Sequence, residues 1–112
     1  MSTHLLEHRY GEKVTILDSP ALNGLLAQLS ARDTVQPRIN QLLRRLYAAL
    51  FQNVIDQEAA TVETVTETRM AEYTDKGVAR TTTPDPAQRW VLVDLARAGM
   101  IPAEVCFDLA NE

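Results

Sequence analysis

The chain has 112 residues, 46% of them hydrophobic and 23% charged, with a formal net charge of −4, the size and balance of one packed domain rather than of a disordered or fibrous chain. Its 11 lysines and arginines are scattered, so no basic stripe forms for nucleic acid or an anionic membrane, and both are excluded as partners. No segment approaches the ~20 consecutive apolar residues of a membrane helix, and the N-terminus has no basic stretch followed by an apolar run, so a cytoplasmic location is expected.

Residues 1 to 13 are polar, carry both histidines and read as an N-terminal arm or a short edge strand. His4 and His8 stand four apart, a spacing that could hold a metal on a helix, but Gly11 follows at once and no third ligand is near, so no metal site is expected. Val14, Ile16 and Leu17 make a short apolar piece. Ser19-Pro20 then gives a helix start, a hydroxyl cap followed by a residue already fixed at helical φ. Leu22, Leu25, Leu26 and Leu29 form one apolar stripe of that helix. Asp33 or Thr34 can cap a second helix with Pro37 in its first turn, where Ile39, Leu42, Leu43, Leu46, Leu50 and Val54 repeat the period. Arg38, Arg44, Arg45 and Gln52 read as its solvated side.

After Asp56 the period changes. Thr61 to Met70 is rich in β-branched residues and reads as a strand, and Tyr73 to Gly77 reads as a turn from which Val78 to Thr83 returns antiparallel. A projecting hairpin over about 61–83 is the expectation. Pro84-Asp85-Pro86 interrupts the chain, because neither proline can donate a ladder hydrogen bond. Trp90-Val91-Leu92-Val93 is almost wholly apolar and predicts a strand buried on both faces of an α/β sheet, with the helix pair packed over it. Arg97-Ala98-Gly99 makes a turn, and Met100 to Ala110 predicts a further helix. Cys106, the single cysteine, stands in an apolar run and reads as core packing rather than a nucleophile. No Gly-rich nucleotide loop, Cys/His cluster or catalytic triad is legible, and the catalytic residues are left unassigned.

Two helices, a hairpin, then a buried strand ending in Leu95-Ala96-Arg97-Ala98-Gly99-Met100 resemble the N-terminal half of the uracil phosphoribosyltransferase family, from about Val14 to the end. The family's His-Pro-Leu-type helix start has its counterpart in Ser19-Pro20-Ala21-Leu22, its Arg-Glu-Leu-like segment in Asn40-Gln41-Leu42, and its Pro-Ile-Leu-Arg-Ala-Gly in Asp94-Leu95-Ala96-Arg97-Ala98-Gly99. The fold implied is an α/β one, the N-terminal portion of a type I phosphoribosyltransferase-like domain over 14–112. The function implied is transfer of a pentosyl group in pyrimidine salvage, with Mg²⁺ arriving on the phosphoribosyl donor. Carried over, Arg97 is the cation for the donor's pyrophosphate, and the N–H groups of Ala98 and Gly99 are its fixed donors. A guanidinium suits that task because it is always charged and presents forked donors to phosphate oxygens.

The departures are specific. Asp94 replaces the family's proline, Ala96 its leucine, and Ser30 and Asn53 stand where the family has an arginine and part of a tyrosine-glutamate pair. Asp94 is a possible modulator, since an ion pair with Arg97 would occupy the cation. The family's donor-binding loop and uracil-recognition segment occur nowhere in these residues, so the chain alone is expected to be inactive. A C-terminal segment or chain would complete it, and the hairpin arm is expected to pack on a second copy as a homo-oligomer. Three readings stay open: part of an enzyme, a diverged pseudoenzyme that keeps the fold for binding and dimerisation, and an α+β assembly protein alike in architecture only.

Overall fold

The computed structural model describes residues 4–112, an α/β arrangement of three helices and two antiparallel strand pairs. Their contacts divide into two units, Met1–Leu50 with Leu92–Glu112, and Phe51–Val91. No helix among the described residues is long and apolar enough to cross a membrane.

In the first unit, β1 (His4–Leu5) pairs antiparallel with β2 (Leu17–Asp18). The loop between them closes on His8. Its Nδ1 accepts from the Tyr10 N–H at 3.0 Å while Nε2 lies 2.5 Å from the Val14 carbonyl, which fixes the tautomer with the proton on Nε2. Gly11 holds a φ of 98°, the left-handed region that suits glycine.

Helix α1 (Pro20–Ser30) starts where the sequence places it, with Ser19 extended and its Oγ accepting from the Leu22 N–H at 3.5 Å. Helix α2 (Arg38–Glu58) is the longest element, as expected. Its cap differs from expectation. Thr34 donates its hydroxyl back to the Gln28 carbonyl and so closes α1, while the Gln36 side chain accepts from the Asn40 N–H at 3.0 Å and opens α2. Helix α3 (Met100–Ala110) confirms the last expected helix. An Arg44–Glu104 pair joins α2 to α3 through two contacts of 3.2 and 3.3 Å. With side chains 45% and 59% exposed, that pair contributes at most about 1 kcal/mol.

Leu42 and Val105 are the buried hydrophobic residues of this unit among those described. The leucine stripe of α1 is only half covered: Leu22, Leu25 and Leu29 are partly buried and Leu26 is exposed. The facing sides of α1 and α2 line an open apolar cavity of about 380 Å³ with Ile16 and with Leu17 of β2.

The second unit holds the expected hairpin, β3 (Thr61–Glu67) antiparallel to β4 (Val78–Pro84), with Thr61 opposite Pro84 and Glu67 opposite Val78. Val62, Thr64 and Thr66 share a face with Ala79, Thr81 and Thr83, and the Thr64 and Thr83 hydroxyls lie 2.6 Å apart. Thr68 caps the short 3₁₀ turn Arg69–Glu72 and donates its hydroxyl to the Gly77 carbonyl. A Cβ on Gly77 would stand 2.4 Å from the Ala71 nitrogen and 2.5 Å from the Met70 carbonyl carbon, so the turn has room for glycine alone. Below the hairpin the Ala60 N–H donates to the Gln88 side chain at 2.7 Å, and Phe51, the buried hydrophobic of this unit, meets the Trp90 ring edge-on at 5.5 Å.

The buried strand expected at Trp90–Val93 is absent. These residues form no strand, Val91 and Val93 are each 87% exposed and Leu95 is 80% exposed. The physical reason is that a strand is made by a neighbour, and neither strand pair extends to this segment. An apolar run states a need for burial without supplying the partner.

Candidate functional site

The turn from Ala96 to Gly99 leads directly into α3, as the sequence implies, and it brings the three candidate residues together on one exposed corner. Its geometry depends on Gly99. A Cβ there would stand 2.7 Å from the Leu95 nitrogen and 2.8 Å from the Leu95 oxygen, both backbone atoms, and 3.3 Å from the Asp94 Cβ. The chain therefore doubles back so closely on Leu95 that only glycine fits, a requirement the three-residue motif announces without explaining.

The proposed anion donors separate under this geometry. The Gly99 N–H donates to the Leu95 carbonyl at 2.6 Å, a bond that closes the turn. The Ala98 N–H has no backbone partner among the described residues. The helix behind the turn adds little: Gly99 caps α3 without a side-chain hydrogen bond, and Pro102 removes one N–H from the first turn. What remains is the Arg97 side chain. It is exposed, and no ion pair engages it among the described residues; in particular Asp94 does not pair with it.

Asp94 is exposed and borders a shallow cleft with Leu92, Met100, Ala103, Glu104 and Phe107. The second carboxylate of that cleft, Glu104, is already held by Arg44. No group of three or more His, Cys, Asp or Glu is arranged to hold a metal among the described residues. Ser30 ends α1 on an exposed turn, and Asn53 lies part-buried on α2, its side-chain oxygen accepting from Gln57 at 3.5 Å. Cys106 is part-buried on α3, and burial pushes the pKa of its thiol above the ordinary value. The leucine-lined cavity between α1 and α2 was not anticipated, although the two leucine stripes were its signal.

Set against family models, curated proteins and solved structures, the chain matches none.

Proposed function

We propose that this chain is the N-terminal part of a uracil-phosphoribosyltransferase-like protein, a cytoplasmic enzyme of pyrimidine salvage that acts on a phosphoribosyl donor and a nucleobase once a C-terminal half completes it. The observation that carries the reading is the corner at Arg97: an exposed guanidinium with no ion-pair partner among the described residues, on a turn that has room only for glycine at position 99. In such an enzyme, catalysis consists of holding the donor and neutralising the charge that develops on the departing pyrophosphate. Arg97 would supply that charge and the Ala98 N–H one fixed hydrogen bond. Mg²⁺, which binds largely through substrate phosphates and its own waters, would come in on the donor, so a dedicated ligand cluster in this chain is not required. Asp94, two residues before the turn, is a nearby exposed carboxylate that could hold such a metal or repel the polyanion.

A second reading, a pseudoenzyme that keeps the fold for dimerisation, is favoured by the commitment of the Gly99 N–H within the turn and by Asp94. In both readings the hairpin, whose outer edges are unpaired among the described residues, would pack on a second copy. Titration calorimetry with Mg²⁺ and pyrophosphate, on the assembly containing this chain and its C-terminal half, separates the readings. Arg97→Ala should lose about 1.5 to 3 kcal/mol, the worth of a hydrogen bond to a charged group. Asp94→Asn should tighten binding if the carboxylate merely repels the ligand and weaken it if the carboxylate holds the metal. No heat from any of the proteins means that the turn is structural and the transferase reading fails.

A further inference from the structure

Residues 15–17, α1 and α2, all within the first unit, enclose the cavity of about 380 Å³. Leu22, Leu29, Leu43 and Leu46 wall it and are part-buried, while Leu26 and Leu50 in the same lining stay about half exposed, so the cavity is formed by folding yet open to solvent. Among the described residues the lining contains no acid, lysine, arginine or histidine, and its polar side chains are Thr15, Asn23 and Tyr47. The Asn23 Nδ2 donates to Asp18 at 3.0 Å, which fixes the orientation of the amide and leaves it a second N–H and an acceptor oxygen. Neither these nor the hydroxyls of Thr15 and Tyr47 have a partner among the described residues.

Volume and wall chemistry together decide what fits. At the density of a protein interior, about 380 Å³ holds about ten to fifteen carbon atoms, and an open mouth favours the lower figure. One turn of a partner helix, about 10 Å across and 5.4 Å long, displaces roughly 420 Å³, more than the whole cavity. An extended peptide is slimmer, but every residue brings a backbone donor and acceptor to a leucine wall that has nothing to receive them. A carboxylate ligand would lose its hydration against the same wall, with the Asp18 charge already standing beside Asn23. An aliphatic body with one uncharged polar group meets none of these objections, since the leucines cover the body and a neutral side chain of the lining takes the polar group.

We propose that this cavity binds a small uncharged aliphatic molecule of about ten carbons or fewer that carries one hydroxyl, a medium-chain alcohol by chemical class. The proposal uses neither Arg97 nor a phosphoribosyl donor and stands apart from the transferase reading.

Three probes with one chain and different heads test it: 1-octanol, octanoate and octylammonium, each titrated at pH 7 into the 112-residue chain. Two-dimensional NMR of the leucine methyl groups reads affinity and place together. Octanol should bind saturably at low millimolar concentration or below, with the shifts confined to the leucines of the lining, and both ions should bind at least about tenfold more weakly. Leu26→Trp, which fills the cavity from an exposed position, should weaken octanol tenfold or more with the circular dichroism unchanged. Phe107→Ser, which removes an exposed apolar side chain of α3 outside the lining, should leave octanol binding as it was. Equal or tighter binding of either ion, no saturation by octanol, or full retention in a folded Leu26→Trp would overturn the proposal. So would shifts of the lining leucines on simple dilution of the ligand-free protein, which would give the cavity to a second copy of the chain. Pyrophosphate plays no part in this assay, so its failure and the failure of the transferase reading are separate outcomes.

Discussion

The same substitution at two glycines of one unit should move stability in opposite directions. Gly24 lies inside α1, and a Cβ added there meets nothing within 4 Å. Gly24→Ala therefore keeps only the intrinsic gain of alanine in a helix interior, about 0.5 to 1 kcal/mol. Gly99 has a φ of −84°, which alanine adopts without difficulty, so the whole cost comes from contact. Two Leu95 backbone atoms inside 3.0 Å cannot swing aside as a side-chain tip can. The turn must open, forfeiting the 2.6 Å Gly99–Leu95 bond. Overpacking costs about 1 to 3 kcal/mol, the lost hydrogen bond about 0.5 to 1.5, and the stiffer unfolded chain returns about 0.4 to 1. A net loss of about 0.5 to 4 kcal/mol results. Urea denaturation followed by far-ultraviolet circular dichroism reads both variants, with the slope held constant so that the midpoint reports stability alone. An unchanged or raised midpoint for Gly99→Ala, or a lowered one for Gly24→Ala, would refute the contact argument.

Leu42, 1% exposed, is the best-covered side chain of the first unit, and Leu42→Ala should cost about 2 to 5 kcal/mol in the same assay. Leu26→Ala, on the exposed rim of the leucine cavity, should cost well under half of that. Removing Glu104 as Glu104→Gln should change stability by less than about 1 kcal/mol, and the change should fade as salt is raised. For Cys106 the sign follows from burial. A thiol whose folded pKa lies above its unfolded value contributes stability that is complete below the unfolded pKa, about 8.5, and declines as pH rises through the folded one. Stability should accordingly fall on the alkaline side of about pH 8.5, and Cys106→Ala should flatten that fall; equal alkaline slopes for both proteins would contradict the assignment.

The elements that could be read directly from the chain are those whose signals are local. Ser19-Pro20 announces α1 because both the cap and the fixed φ act within one turn, and the hairpin is legible because Asp75 and Gly77 interrupt two runs of β-branched residues. Gln36 escaped because a glutamine before a proline has many uses, and only the fold selects the one in which it reaches Asn40. The failed strand at Trp90–Val93 is the instructive case. Its apolar residues predict a buried strand, but an apolar run supplies no neighbouring strand, and none lies beside it among the described residues. At the candidate site, the clustering of Arg97, Ala98 and Gly99 was trivial from sequence adjacency. The division of labour among their N–H groups was not, because it depends on a carbonyl four residues back that the turn happens to present.

A backbone that forms no ladder is also a backbone that can be threaded into a protease, whose active site grips its substrate in extended form. Arg89 and Arg97 bracket the unpaired stretch and both are exposed, so trypsin has a cleavable residue at either margin. Early digestion should excise Trp90–Arg97 and leave α3 on a fragment of its own. Nicking at these two arginines thereby becomes a footprint: its rate reports how accessible the stretch between them is to an enzyme that needs extended backbone.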